Sequence, residues 1–180
     1  MRLDYTKGGL QFFFVTLASA ERQPVLSRLI AEGGRPELLD IGELARAALR
    51  AVHRVWPAVT VSDYVIMPDH LHFLLIVNYD CDKSIGPLFI AHRVADAVEM
   101  AVARGLERTG ARAPVRSVVF ARDCYIELSF DARQLKAIRH YIKLNPARAL
   151  WKLRHPDLFL CHRATTPQPK TVAKLPLGGC

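Results

Sequence analysis

Residues 11–18 (Gln11-Phe12-Phe13-Phe14-Val15-Thr16-Leu17-Ala18) are apolar almost without interruption, with Gly8-Gly9 before them and Glu21-Arg22 after. That pattern predicts a buried strand. Residues 19–39 carry Pro24, Gly33-Gly34 and Pro36 as breakers and read as loop. From Ile41 to Trp56, Ile41, Leu44, Ala45, Ala48, Val52 and Val55 recur at helical spacing, with Asp40 placed as N-cap and Pro57 as the stop. Val59–Met67 and His70–Val77 are two strand-like runs separated by Pro68-Asp69, which predicts a hairpin. Ser84–Arg108 is a long helical pattern that tolerates Pro87 in its first turn. A further strand is predicted within Ser117–Phe130, interrupted around Arg122-Asp123. Asp131 then caps a last helix expected to end near Asn145-Pro146. Residues 164–180, with Pro167, Pro169 and Pro176, have the composition of a disordered tail.

The order strand, helix, hairpin, helix, strand, helix predicts an α+β fold. It is that of a ferredoxin-like split β-α-β sandwich, an antiparallel sheet with helices mainly on one face. One domain over residues 1–163 is expected, followed by the tail. Such sheets host many unrelated activities, so the fold alone leaves function open.

Composition narrows this. The 180 residues are 51% hydrophobic and 23% charged, a balance that supports one packed core and excludes disorder throughout. The net charge of +8 is unevenly placed: residues 1–90 hold 9 basic and 10 acidic side chains, and residues 91–180 hold 16 and 7. A surplus confined to one half points to a polyanionic partner, nucleic acid ahead of a membrane surface. Runs such as Phe12–Val15 and Phe73–Val77 are far shorter than the ~20 residues of a membrane span. The first residues lack the pattern of a signal peptide, so a cytoplasmic location is expected. Cys81, Cys124, Cys161 and Cys180 show no Cys-x-x-Cys spacing and read as reduced thiols.

Candidate chemistry begins at His70-Leu71-His72. On a strand, His70 and His72 share a face about 7 Å apart, at the mouth of an otherwise apolar run. Two imidazoles so placed can chelate a divalent cation, and a phosphate or an ordinary internal partner would also satisfy them. On a helical wheel, residues 133–145 put Leu135, Ile138 and Ile142 on a core stripe. Gln134, Tyr141 and Asn145 fall on one flank, and Lys136, Arg139 and Lys143 on the other. Tyr141 is then either a boundary tyrosine with a wet hydroxyl or a presented phenol.

Two segments taken together are more specific. Val65-Ile66-Met67-Pro68-Asp69-His70-Leu71-His72-Phe73-Leu74-Leu75 and Tyr141-Ile142-Lys143-Leu144-Asn145-Pro146-Ala147-Arg148-Ala149 resemble the two signatures of the REP-associated tyrosine transposases, HUH single-tyrosine enzymes of bacterial insertion sequences. Phe13–Leu17 is similar to the first strand of that family, and the likeness spans residues 11–151. The resemblance implies that His70 and His72 are metal ligands, that Asn145 is a third metal-side group and that Tyr141 is the nucleophile. It also implies Mg²⁺ or Mn²⁺, a single-stranded or hairpin DNA substrate, and a covalent 5′-phosphotyrosine intermediate with a free 3′-hydroxyl. Asp69 stands where the family more often has Asn, and Glu127 lies in a segment that matches loosely.

On this reading the basic half grips DNA, with Arg93, Arg112, Arg116, Arg122, Arg139, Lys143 and Arg148 as phosphate contacts and Tyr125 and Trp151 as stacking candidates. Loss of activity is expected as pH falls through about 6.5, where free imidazole becomes protonated and cannot ligate a metal. The alternatives are a domesticated, non-catalytic protein that binds hairpin DNA and a metal-dependent hydrolase of a small molecule. Both a monomer and a homodimer are compatible with the sequence.

Overall fold

A computed structural model of the chain describes residues 9–30, 35–81, 85–109, 119–129 and 131–160. β1 (Leu10–Ala18) is followed by two short strands, β2 (Ser27–Arg28) and β3 (Glu37–Leu38), and by α1 (Asp40–Val55). The hairpin β4 (Val59–Ile66) and β5 (His70–Asn78) leads to α2 (Pro87–Arg108). β6 (Tyr125–Ser129), α3 (Ala132–Arg154) and the short α4 (Asp157–Leu160) complete the order. The main sheet has the order β4-β5-β1-β6, antiparallel at every pairing, which is the expected α+β split sandwich.

The period-2 alternation of β1 and β5 gives the sheet two apolar faces. Phe13, Val15, Leu17, Leu71, Phe73, Leu75 and Val77 share one core with α1 and α2 through Ala45, Leu49, Val52, Val94 and Val98. Phe12, Phe14, Leu74 and Ile76 point the other way and meet Leu135 and Ile142 of α3. Helices therefore lie two on one face and one on the other. Complete burial of a large apolar side chain contributes about 1.5–3 kcal/mol, so central strands with two apolar faces anchor the whole arrangement.

Several boundaries differ from expectation. Residue 40 is the first residue of α1 and Leu39 the N-cap, without a side-chain cap, so Asp40 acts as a first-turn carboxylate beside the helix dipole. α2 starts at Pro87 behind Gly86. The 19–39 stretch is more than loop, since Ser27–Arg28 pairs with Glu37–Leu38. Of the stretch 117–130 in which a strand is expected, residues 119–129 are described, and there Tyr125–Ser129 is strand, with an isolated bridge between Ser19 and Phe120 and a break at 122–123.

The largest correction concerns α3. Asp131 caps it through Gln134 N at 2.7 Å, as expected, but the helix does not stop near Pro146 and runs on to Arg154. Proline removes one backbone donor and crowds the preceding turn. Here Pro146 is buried together with Ile142 and Asn145, and tertiary packing holds the helix through it. Residues 164–180 and Arg116 lie outside the described residues.

Candidate functional site

At the start of β5 the chain makes a tight turn, with Met67 N bonded to His70 O at 2.8 Å. The segment after β1 clamps that turn. Ser19 donates to Asp69 O from its backbone (2.8 Å) and its hydroxyl (2.9 Å), Leu26 N donates to Pro68 O (3.0 Å), and Ser27 Oγ donates to Ile66 O (3.0 Å). Two histidines thus leave a braced turn on one face of the sheet.

Their rings lie 4.6 Å apart. In register, His72 sits opposite Thr16 of β1, and Thr16 Oγ1 is 2.8 Å from His72 Nδ1. His70 Nδ1 is 2.6 Å from Asp69 Oδ1, and Arg22 stands 3.6 Å from the other oxygen of that carboxylate. Each ring therefore has its Nδ1 engaged and its Nε2 left for another partner. His72 is 6% exposed. Burial, followed by His70 and Arg22, pushes its pKa down to about 3, with Asp69 opposing, so the ring is neutral at physiological pH.

α3 crosses the same face. Tyr141 Oη lies 3.4 Å from His72 Nε2, and Phe14 packs beside both rings, its centroid 5.0 Å from His72 and 6.0 Å from Tyr141. The Arg148 guanidinium stands 5.7 Å from the Tyr141 ring centroid. His70, Tyr141, Asn145, Arg148 and Lys152 line one cavity of about 630 Å³ together with Met67, Pro68 and Asp69, whereas His72 does not line it. Spacings of 4, 7 and 11 residues from Tyr141 place Asn145, Arg148 and Lys152 on one helix face. The last two reach the cavity because α3 continues beyond Pro146.

Imidazole nitrogens and an amide oxygen are donor types that a divalent cation accepts. Among the described residues no three His, Cys, Asp or Glu side chains gather as a metal cluster. Asn145 is 9% exposed, lines the cavity and makes no side-chain hydrogen bond among the described residues. Nδ1 atoms held by a hydroxyl and a carboxylate are the outer-shell pattern that orients ligand histidines.

The other named residues divide. Arg139 Nε binds Asp63 Oδ2 at 2.9 Å and, with Lys143, lines a groove on the opposite flank of α3. Arg93 lies on α2, by the apolar groove of Trp56 and Phe89, away from the tyrosine cavity. Arg122 is exposed ahead of β6. Arg112 and Arg116 fall outside the described residues. Glu127 accepts from Tyr125 Oη (2.9 Å) and Gln134 Nε2 (3.1 Å), which explains its place on the sheet without a metal. Tyr125 and Trp151 are exposed. Cys124 is a free thiol 3.7 Å from His92 Nδ1. Thr16, Ser19 and Arg22 were not legible as site residues, because their roles depend on strand register and on a loop folding back. No helix among the described residues is long and apolar enough to cross a membrane.

No protein-family model matches the chain, and no curated protein does. Solved structures do match. One is a REP-associated tyrosine transposase bound to a REP hairpin, 19% identical over 84% of this chain and 74% of that one, with a TM-score of 0.49. Another is a proposed transposase from Deinococcus radiodurans R1, 16% identical over 79% and 96% of the two chains, TM-score 0.46. The functional reading rests on the residues of this chain.

Proposed function

We propose that this chain is a single-tyrosine DNA transposase of the HUH type, which cuts and rejoins single-stranded DNA, presented beside a hairpin, through a covalent 5′-phosphotyrosine. The observation that carries this reading is the Tyr141 hydroxyl beside His72, whose ring neighbours that of His70, next to a cavity that Tyr141 and His70 line together with Arg148 and Lys152.

Mg²⁺ or Mn²⁺ would be held by His70, His72 and Asn145, and when bound it supplies Lewis-acid polarisation of a phosphoryl oxygen. The chain's own groups do the rest. Thr16 and Asp69 engage Nδ1 of the two rings and so leave Nε2 of each for another partner. Phe14 holds the Tyr141 ring at its edge. Arg148 and Lys152 bring positive charge to the place where the phosphodiester must lie, which favours binding and stabilises charge that develops during attack. Tyr141 Oη forms a bond to phosphorus as the bond from phosphorus to the 3′-oxygen breaks. The phenolic proton leaves Oη and the departing 3′-oxygen gains one, so the products are a 5′-phosphotyrosine and a 3′-hydroxyl. Reversal by a different 3′-hydroxyl transfers the strand without hydrolysis.

The test is a denaturing gel with labelled hairpin DNA bearing a single-stranded flank, in the presence of Mn²⁺. A protein-linked band that needs Tyr141 supports the reading. Binding without any adduct identifies a hairpin-binding protein that does not cut.

A further inference from the structure

We infer that Arg22 is a positioning residue for His70: its guanidinium holds the Asp69 carboxylate that engages His70 Nδ1, and left-handed backbone at Glu21 and Arg22 aims it there. The inference rests on the metal reading above, in which His70 is a ligand. Asp69 Oδ1 lies 2.6 Å from His70 Nδ1, and Arg22 Nη1 lies 3.6 Å from Asp69 Oδ2. One carboxylate thus bridges a guanidinium and an imidazole.

The backbone outlier points the same way. Among the described residues, Glu21 and Arg22 are the non-glycine residues with positive φ, at 52° and 57°. Left-handed backbone costs free energy for any residue with a Cβ, and two such residues in succession persist only where their surroundings impose them. Here Arg22 N donates to Ser19 O and Gln23 N to Ala20 O, both at 3.1 Å. The Ser19 hydroxyl donates between Gln23 O (2.6 Å) and Asp69 O (2.9 Å). The turn is therefore tied to the backbone of the same aspartate whose side chain Arg22 reaches. The two side chains of the ion pair are 62% and 33% exposed, and pairs so open to water add little stability. Stability does not account for the strained turn, whereas orientation of the carboxylate does.

What orientation supplies is a single tautomer. A neutral imidazole carries its proton on either ring nitrogen. A carboxylate held at Nδ1 keeps the proton there and leaves the Nε2 lone pair for a cation. Asp69 also lines the cavity of Tyr141. An unheld carboxylate would be free to turn into that space, where it repels a phosphodiester.

The experiment uses the full chain with ¹⁵N-labelled imidazoles, as wild type and as Arg22→Ala, Arg22→Lys and Arg22→Gly. Without metal, at about pH 8 where free imidazole is neutral, His70 of wild type should carry its proton on Nδ1 alone, and Arg22→Ala should show both tautomers. Calorimetric titration should find Mn²⁺ bound about 3- to 10-fold more weakly by Arg22→Ala, less than the loss of a direct partner of the ligand would cause. Arg22→Lys should restore most of that affinity. In an Asp69→Asn background, Arg22→Ala should shift affinity by less than about twofold. Arg22→Gly relieves the left-handed strain, so it should melt about 2 °C above Arg22→Ala yet bind Mn²⁺ as weakly. A single tautomer with full Mn²⁺ affinity in Arg22→Ala would leave the pair a surface contact. Additive losses with Asp69→Asn, or affinities that follow the melting temperatures, would leave the turn purely structural; each of these results overturns the inference. Failure of the catalytic reading is seen separately, as wild type that shows the single His70 tautomer yet yields no covalent DNA adduct.

Discussion

The hydroxyl of Tyr141 stands 3.4 Å from Nε2 of His72, although 69 residues of chain separate them. That distance is long for a strong hydrogen bond. Its value is positional: a phenol that lines the cavity faces a neutral imidazole whose other nitrogen is held by Thr16.

Tyr141→Phe removes only the oxygen from a ring that is 37% exposed. Stability should change by no more than about 0.5 kcal/mol, as for most exposed substitutions. The covalent DNA adduct should disappear while oligonucleotide affinity stays nearly constant. A gel-shift and a denaturing gel run on the same samples check both, and a surviving adduct would remove Tyr141 from the mechanism.

Thr16→Val keeps the shape of the side chain and deletes the partner of His72 Nδ1. Loss of an outer-shell partner of this kind costs about 10- to 100-fold in metal affinity. Calorimetric titration with Mn²⁺ should show that loss in a protein that still folds. Unchanged affinity would mean that Thr16 does not orient a ligand.

The pH behaviour differs from the expectation for a free imidazole. The folded-state pKa of His72 is depressed to about 3 while its ordinary value is 6.5, so between these values the unfolded chain binds the proton and the native chain does not. The contribution is fully present above pH 6.5 and is lost as pH falls from 6.5 towards 3, at up to about 1.4 kcal/mol per pH unit. Denaturant unfolding of wild type and His72→Gln across that range should give a shallower slope for the variant. His72 remains neutral through pH 6.5, so the fall in activity expected there does not come from this ring.

Gly42→Ala tests the brace behind the site. A Cβ at Gly42 would meet the backbone carbonyl of Leu26, the residue whose N–H holds Pro68 O. Overpacking against backbone costs about 1–3 kcal/mol. At Gly105 the added methyl meets the side chain of Leu44, which can change rotamer, and the gain in helix propensity offsets part of the clash. Thermal melting should rank Gly42→Ala well below Gly105→Ala.

The legible parts of this protein are those with a local cause. Two apolar faces in β1 and β5 follow from side-chain alternation, and the same period puts His70 and His72 on one side. The flanks of α3 follow from 100° per residue, which separates Lys136, Arg139 and Lys143 from Tyr141 and Asn145. Asp131 as a cap needs only its own hydrogen bond.

What tertiary structure decided has causes distant in sequence. A proline normally ends a helix because the local ladder is broken, and here burial of Pro146 with Ile142 carries α3 on and delivers Arg148 and Lys152 to the cavity. Thr16 reaches His72 only through strand register, and Ser19 and Leu26 reach the turn only because the segment after β1 folds back. The sequence by itself determined which side chains share a face, since that is set within one element by its period. Which faces meet was decided by packing between elements, because burial free energy belongs to the contact and not to either segment alone.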